Sequence, residues 1–174
     1  MGPLCLFKGS RGAGNPPSQG RCFNNANDAR IARVYTSAAG GVTEDNSPNA
    51  GPPRAGTFDL IVQLEAGNVL GQSGANYTLT ITAINDDTGA AVAGLVPAGS
   101  PFSEQFQAPD WKPSGSDFVR TSPAAGAVPE ILGILRYNIT IPAATTGQFH
   151  YNVRFVSAGF QVVDLAASNP FLLV

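Results

Sequence analysis

The chain has 174 residues, 13% of them charged, with 20 glycines and 14 prolines. That length suits one domain of ordinary size, and sparse charge with abundant Gly and Pro suits short strands and turns better than helices. No window approaches the roughly 18 apolar residues of a membrane-spanning helix, and a lone histidine restricts imidazole-based acid–base and nucleophilic schemes.

Charge is unevenly placed. Residues 1–33 carry Lys8, Arg11, Arg21, Arg30 and Arg33 against Asp28, a net of +4, while residues 34–174 carry five basic and eleven acidic groups, a net of −6. A basic arm on an acidic body favours docking on a protein surface of opposite charge. Five cations diluted among glycines and prolines, with Phe7 and Phe23 alone for stacking, are too thin a basis for nucleic-acid binding.

The first residues read as neither a leader nor an anchor. The apolar residues at 4–7 are followed at once by Lys8, Gly9, Ser10 and Arg11, so there is no hydrophobic region of a secretory signal and no lipobox around Cys5. The start Met1-Gly2-Pro3 does not fit myristoylation. The expectation is a chain made in the cytoplasm without a secretory signal and available for incorporation into a particle or virion. Cys5 and Cys22 are the candidate disulfide, whose closure would restrict the unfolded chain by about 3 kcal/mol. Two free thiols are the alternative in a reducing compartment. With His150 they make three ligands, one short of a closed zinc site, and no metal or cofactor is expected.

In chain order, residues 1–28 are rich in Gly, Asn, Pro and Ser and lack periodicity. Residues 29–37 read as a strand, since Val34, Tyr35 and Thr36 favour sheets, with a short helix capped by Asp28 as the alternative. Residues 40–56 hold Pro48, Pro52 and Pro53 and read as a linker. Residues 1–56 are therefore an expected arm and linker, and 57–174 the expected folded domain.

Within that domain, FDLIVQL at 58–64 and YTLTITAIN at 77–85 read as strands. Residues 85–89 form a hairpin turn, with Gly89 where a positive φ is needed, and 90–96 return as a strand. Residues 102–107 make a short strand, and 108–127 a Pro-rich loop in which 118–120 pair briefly at an edge. Strands follow at 130–141, 148–156, 160–164 and 171–174. The clearest stretch is 136–156. Tyr137, Ile139 and Ile141 alternate with Asn138 and Thr140; beyond 142–147, Phe149, Tyr151, Val153 and Phe155 alternate with His150, Asn152 and Arg154. A period of two puts each apolar set on one face of a strand, so the pair reads as two antiparallel strands joined by a turn. Seven or eight such strands are expected to form an all-β, two-sheet antiparallel sandwich.

The residues at 77–82, the 86–89 hairpin, 137–141 and Thr146-Gly147-Gln148-Phe149-His150-Tyr151 resemble an immunoglobulin-like sandwich. The corner before that family's sixth strand commonly reads Asp-x-Gly-x-Tyr-x-Cys. Here Thr146 stands at the Asp position, Phe149 at the Tyr and Tyr151 at the Cys, no cysteine lies in the body, and Trp111 falls in a Pro-rich loop. The resemblance implies architecture, since the fold hosts many unrelated functions.

Candidate sites are few. His150 is expected on the outer face of its strand. Asn85, Asp86 and Asp87 form a plain turn sooner than a calcium loop, lacking the regular acidic spacing and a later bidentate Glu. The sequons at Asn76 and Asn138 lie in Thr-rich strands and read as coincidental. Trp111 with Phe118 and Tyr77 is a candidate aromatic platform for a sugar or protein partner, against the plainer reading of a loop pinned to the core by its largest ring. The candidate partner-binding set is thus Lys8, Arg11, Arg21, Arg30, Arg33 and Trp111. The expected function is non-enzymatic: a structural module that self-associates or decorates a larger protein scaffold. A lectin-like or adhesive module binding carbohydrate or another ligand at its end loops is the alternative.

Overall fold

The structure is a computed structural model that describes residues 26–158 and 162–174. Among these residues are ten strands: β1 (Ala29–Ala38), β2 (Thr57–Ala66), β3 (Asn76–Asn85), β4 (Phe102–Gln105), β5 (Trp111–Ser114), β6 (Asp117–Arg120), β7 (Leu135–Thr140), β8 (Gly147–Ser157), β9 (Val163–Ala167) and β10 (Phe171–Leu173). One sheet runs β1-β2-β6-β5, with β7 also on β2; the other runs β10-β8-β3-β4, with β9 also on β8. Every pairing is antiparallel. The expected all-β, two-sheet sandwich is what the chain forms.

Period-two alternation builds the core. Phe58, Leu60, Val62, Leu64 and Ala66 of β2 face Leu79, Ile81 and Ala83 of β3 and Phe149, Tyr151, Val153 and Phe155 of β8 in one buried cluster. His150, Asn152 and Arg154 point to the opposite face of β8, as their alternation predicts. β2 reads as a continuous apolar run because its other face is covered too: Ile61 packs with Tyr35 and Ile134, and Ile131 lies against them.

The strongest stretch of the sequence folds differently from the expected hairpin. β7 pairs with β2 in the first sheet, whereas β8 pairs with β3 in the second. Residues between them carry the chain across the sandwich, through Ala144 at φ 62° and Gly147 at φ 123°. Alternation reveals that a strand has an apolar face; it does not say which of two facing sheets holds it.

The body also begins earlier than expected. β1 runs alongside β2 from Ala29↔Ala66 to Ala38↔Phe58, with a bulge between Ile31 and Arg33. Ala29, Ile31 and Val34 enter the main core. The segment after β1 is stitched to the far sheet: the Leu172 amide donates to the Asn46 carbonyl at 2.8 Å, and Asn49 exchanges two hydrogen bonds with the backbone of Val174. At the corner the Ile31 amide donates to Asp164 Oδ2 at 2.7 Å.

Three smaller expectations are corrected. Residues 90–92 return beside β3, but only one bridge, Ile84↔Ala91, forms before a 3-10 turn at Ala93–Leu95 drops Leu95 into the core. The long loop at 108–127 contains the β5–β6 hairpin, turned at Gly115 with φ 64°. β7 is shorter than the strand expected at 130–141, since Gly133 at φ 76° turns the chain just before it. The Asn85 turn is as expected: Asn85 Oδ1 accepts from the Thr88 amide at 2.9 Å, and Gly89 has φ 68°.

Two tests follow from this packing. A chain lacking residues 1–56 loses β1 and its stitches and is expected to show no cooperative thermal transition by circular dichroism. Phe155→Ala empties a core site and is expected to cost about 3–5 kcal/mol in denaturant unfolding, whereas exposed Arg154→Ala should change stability by less than about 0.5 kcal/mol.

Candidate functional site

Two buried ionic clusters and one bare sheet face distinguish this sandwich from a plain apolar core. The first cluster closes one side, between β4, β6 and the start of β3. Arg120 Nε donates to Glu104 Oε2 at 2.9 Å and to the Tyr77 hydroxyl oxygen at 3.3 Å, and Nη1 donates to the Thr121 carbonyl at 2.8 Å. Its Nη2 lies 3.4 Å from Asp110 Oδ2. The Tyr77 hydroxyl donates to Glu104. Burial, then the Glu104 carboxylate, pushes the Tyr77 phenol well above its usual range. Burial alone would lower the Arg120 pKa, but its bond to Glu104 and the surrounding negative groups raise it instead. A guanidinium held this way ties the two sheets together as a fixed cation. Outside it lies a polar groove of about 570 Å³, bordered by Asn76, Ser103, Gln107 and Asp110.

The second cluster sits on the outer face of the first sheet. Asp59, 1% exposed, accepts from Arg136 Nη1 at 2.5 Å, from the Gly40 amide at 2.7 Å and from Asn138 Nδ2 at 2.9 Å. Arg136 Nη1 also donates to the Gly41 carbonyl at 2.8 Å, while its Nη2 is buried without a partner among the described residues. Each Asp59 oxygen is thus taken by donors from β7 or the turn after β1. A groove of about 630 Å³ lies above, walled by Ala125, Val128 and Pro129.

The bare face belongs to the second sheet. Val163, Leu165 and Leu172 are 51%, 70% and 44% exposed along β9 and β10, both of which lie on the same side of β8. Thr78, Thr80 and Thr82 continue the same face beyond β8. By contrast, residues 121–134 of the chain cover part of the first sheet's outer face.

The candidate residues fall into three groups. Cys5, Lys8, Arg11, Arg21 and Cys22 lie outside the described residues. Arg30 and Arg33 belong to β1 and are engaged within the chain: Arg30 pairs with Glu65 at 2.5 Å, and Arg33 pairs with Glu44 at 2.5 Å with its guanidinium 4.5 Å from the Tyr35 ring centre. Trp111 is corrected outright as a surface anchor. It is 1% exposed, its ring centre 4.9 Å from Phe106 and 5.8 Å from Tyr77, so it fills the core. A Pro-rich stretch presents a ring as readily inward as outward, and the apolar interior takes it. Tyr77 is buried as well, so these rings form no external platform.

His150 faces outward and pairs with Asp86 of the β3 turn. That bond occupies one of the carboxylates weighed for calcium, and among the described residues no three His, Cys, Asp or Glu side chains converge as metal ligands. The two ionic clusters were not anticipated. Their one signal was Asp59 inside an otherwise apolar run, an arrangement that demands a buried cation or donor set.

Asp59→Ala leaves the Arg136 guanidinium buried without its counter-charge and is expected to cost about 3–5 kcal/mol. Replacing both partners, Asp59→Leu with Arg136→Met, should recover most of that loss in equilibrium denaturation. A double variant as unstable as the single one would show that shape rather than charge sets the cost.

No family model matches this chain, and no curated protein matches it. Among solved structures it is similar to the CooA pilin subunit from enterotoxigenic Escherichia coli, at 11% identity and a TM-score of 0.35, over 81% of this chain and 97% of that one. A likeness of that size does not extend to function.

Proposed function

We propose that this chain is a non-enzymatic structural subunit that self-associates or decorates a larger protein scaffold, of virion or appendage type, through its N-terminal arm and sheet edges. The observation that carries this reading is the uncovered apolar row Val163, Leu165 and Leu172 on the edge strands of the second sheet. Edge strands in monomeric proteins are usually guarded by charge or proline. Here the one charged side chain of β9, Asp164, is spent on the Ile31 amide. Exposed aliphatic side chains gathered on edge strands support a contact surface there. The ionisable groups of the body favour the same reading, since Asp59, Asp86, Glu104 and Asp110 are each held against a cationic or imidazole side chain.

We further infer that the sandwich is immunoglobulin-like in topology. In support, β1-β2-β7 and β4-β3-β8-β9 follow the order in which that architecture lays A-B-E against C′-C-F-G. Tyr151, at the position the family gives to cysteine, packs with its ring centre 6.5 Å from that of Phe58 on β2, and its hydroxyl donates to the Leu95 carbonyl at 2.7 Å.

A second reading, a ligand-binding module, is favoured by the groove over Asp59, Arg136 and Asn138, whose volume of about 630 Å³ is in the range of small-molecule sites. The two readings separate in solution. Sedimentation of the full chain over a range of concentrations and salt is expected to show association that weakens in Lys8→Glu, Arg11→Glu, Arg21→Glu protein. A monomer at every concentration, with no scaffold-bound fraction, would overturn the assembly reading.

A further inference from the structure

We infer that β9 is a docking edge for a second copy of this chain, which adds its own β9 antiparallel across a two-fold axis at Leu165. The inference rests on the self-associating reading above and names the edge and the register through which it acts. Backbone direction, the state of the other sheet edges and the sequence of β9 carry it.

Backbone direction follows from the ladder to β8. The Ser157 amide donates to the Val162 carbonyl at 2.9 Å, and the Ser168 amide donates to the Tyr151 carbonyl at 2.9 Å. In an antiparallel pair such bonded positions recur at every second residue. Asp164 and Ala166 therefore turn their backbone groups toward β8. Val163, Leu165 and Ala167, opposite Val156, Arg154 and Asn152, turn theirs away from it. The Leu165 amide is met by Asp164 Oδ1 at 2.9 Å. The other outward groups of these three residues have no hydrogen-bond partner among the described residues.

Other edges are closed or guarded. Beyond β10 the Leu172 amide donates to the Asn46 carbonyl, and beyond β1 the Asp45 amide donates to the Thr36 carbonyl, each at 2.8 Å. Along β7, Ser122 Oγ accepts from the Arg136 amide at 2.9 Å. β5 carries Lys112 and Pro113, residue types that keep an edge from pairing. β9 has no proline, and its one charged side chain, Asp164, is bound to the Ile31 amide at 2.7 Å.

The sequence of β9 complements itself. Across an axis at Leu165, Val163 meets the second copy's Ala167, Asp164 meets its Ala166, and Leu165 meets Leu165. No like charges are opposed. The three positions with outward backbone groups are the ones placed to exchange hydrogen bonds. The two Val163–Ala167 pairs form without disturbing the bond between Asp164 and the Leu165 amide. Val163 and Leu165, 51% and 70% exposed, come together over the joint. Arg154 of each copy stands three strand spacings from the other, about 14 Å, which exceeds the screening length of about 8 Å at physiological salt. The second sheets join into one continuous sheet, a contact that closes as a two-fold dimer.

Two substitutions on the full chain test this. Ala167→Pro removes an outward amide and leaves the ladder to β8 intact, and Leu165→Lys sets two cations at the axis. In sedimentation equilibrium the wild-type chain is expected to dimerise, with a dissociation constant raised at least about tenfold in each variant. Leu132→Lys, at a site 54% exposed elsewhere on the surface, should leave that constant unchanged. Circular dichroism melts at the wild-type midpoint show that the variants are folded. Independently of any variant, hydrogen exchange of the Val163 and Ala167 amides, read by NMR, should slow several-fold between dilute and concentrated wild-type protein. Association that survives both variants, with those amides exchanging equally at either concentration, overturns the inference and leaves the assembly reading standing. A chain monomeric at every concentration also overturns the inference, and with no scaffold-bound fraction it overturns the assembly reading too.

Discussion

Two groups of aromatic rings hold the sheets face to face, and the remaining features are arranged around them. Near one end Phe58, Tyr151 and Phe171 bring together β2, β8 and β10, with Tyr151 and Phe171 stacked at 5.4 Å. Near the other, Tyr77 packs against Phe106, Trp111 and Phe155, and Phe106 against Trp111 and Phe155, at ring-centre distances of 4.8–5.9 Å. Rings of this size dominate core energetics, and their tilted contacts add to simple area burial. They also dictate the connections. The segment before β5 must dive between the sheets to place Phe106 and Trp111, and the turn at Ala93–Leu95 must sit where Leu95 can accept the Tyr151 hydroxyl.

The ionic clusters lie just outside those rings. Arg120 and Glu104 close the side next to the Tyr77 group, and Asp59 with Arg136 pins β7 and the turn after β1 to β2. Buried pairs of this kind add little net stability, because desolvation offsets the attraction. Their effect is on alternatives. A slip of β7 by one residue against β2 would separate Arg136 from Asp59 and leave a bare charge in each of two places. Register is therefore held by the penalty for breaking the pair.

The two outer faces consequently differ. Residues 121–134 fold back over part of the first sheet, where Ser122 Oγ accepts from the Arg136 amide, while the second sheet shows threonines, Arg154 and an aliphatic edge to the surroundings. The second sheet is thus the face that carries exposed aliphatic side chains, on β9 and β10.

The sequence by itself determined the class of fold and the facing of most side chains. In β3 and β8 strict alternation requires a pleated strand with one dry face, and burial follows it residue by residue from Phe149 to Phe155. The Asn85–Gly89 turn was equally legible, because its chemistry is local. Only tertiary structure decided the rest. Alternation carries no label for the sheet, so the chain between β7 and β8 looked like a hairpin when it is a crossing. Val34, Tyr35 and Thr36 announced a strand, but its place against β2 depends on residues some twenty-five positions away. Trp111 turned inward, and the pairs Asp59–Arg136 and Glu104–Arg120 formed between residues 77 and 16 positions apart. Such contacts arise when two surfaces meet in space, and a local pattern of side chains holds no record of which surfaces those will be.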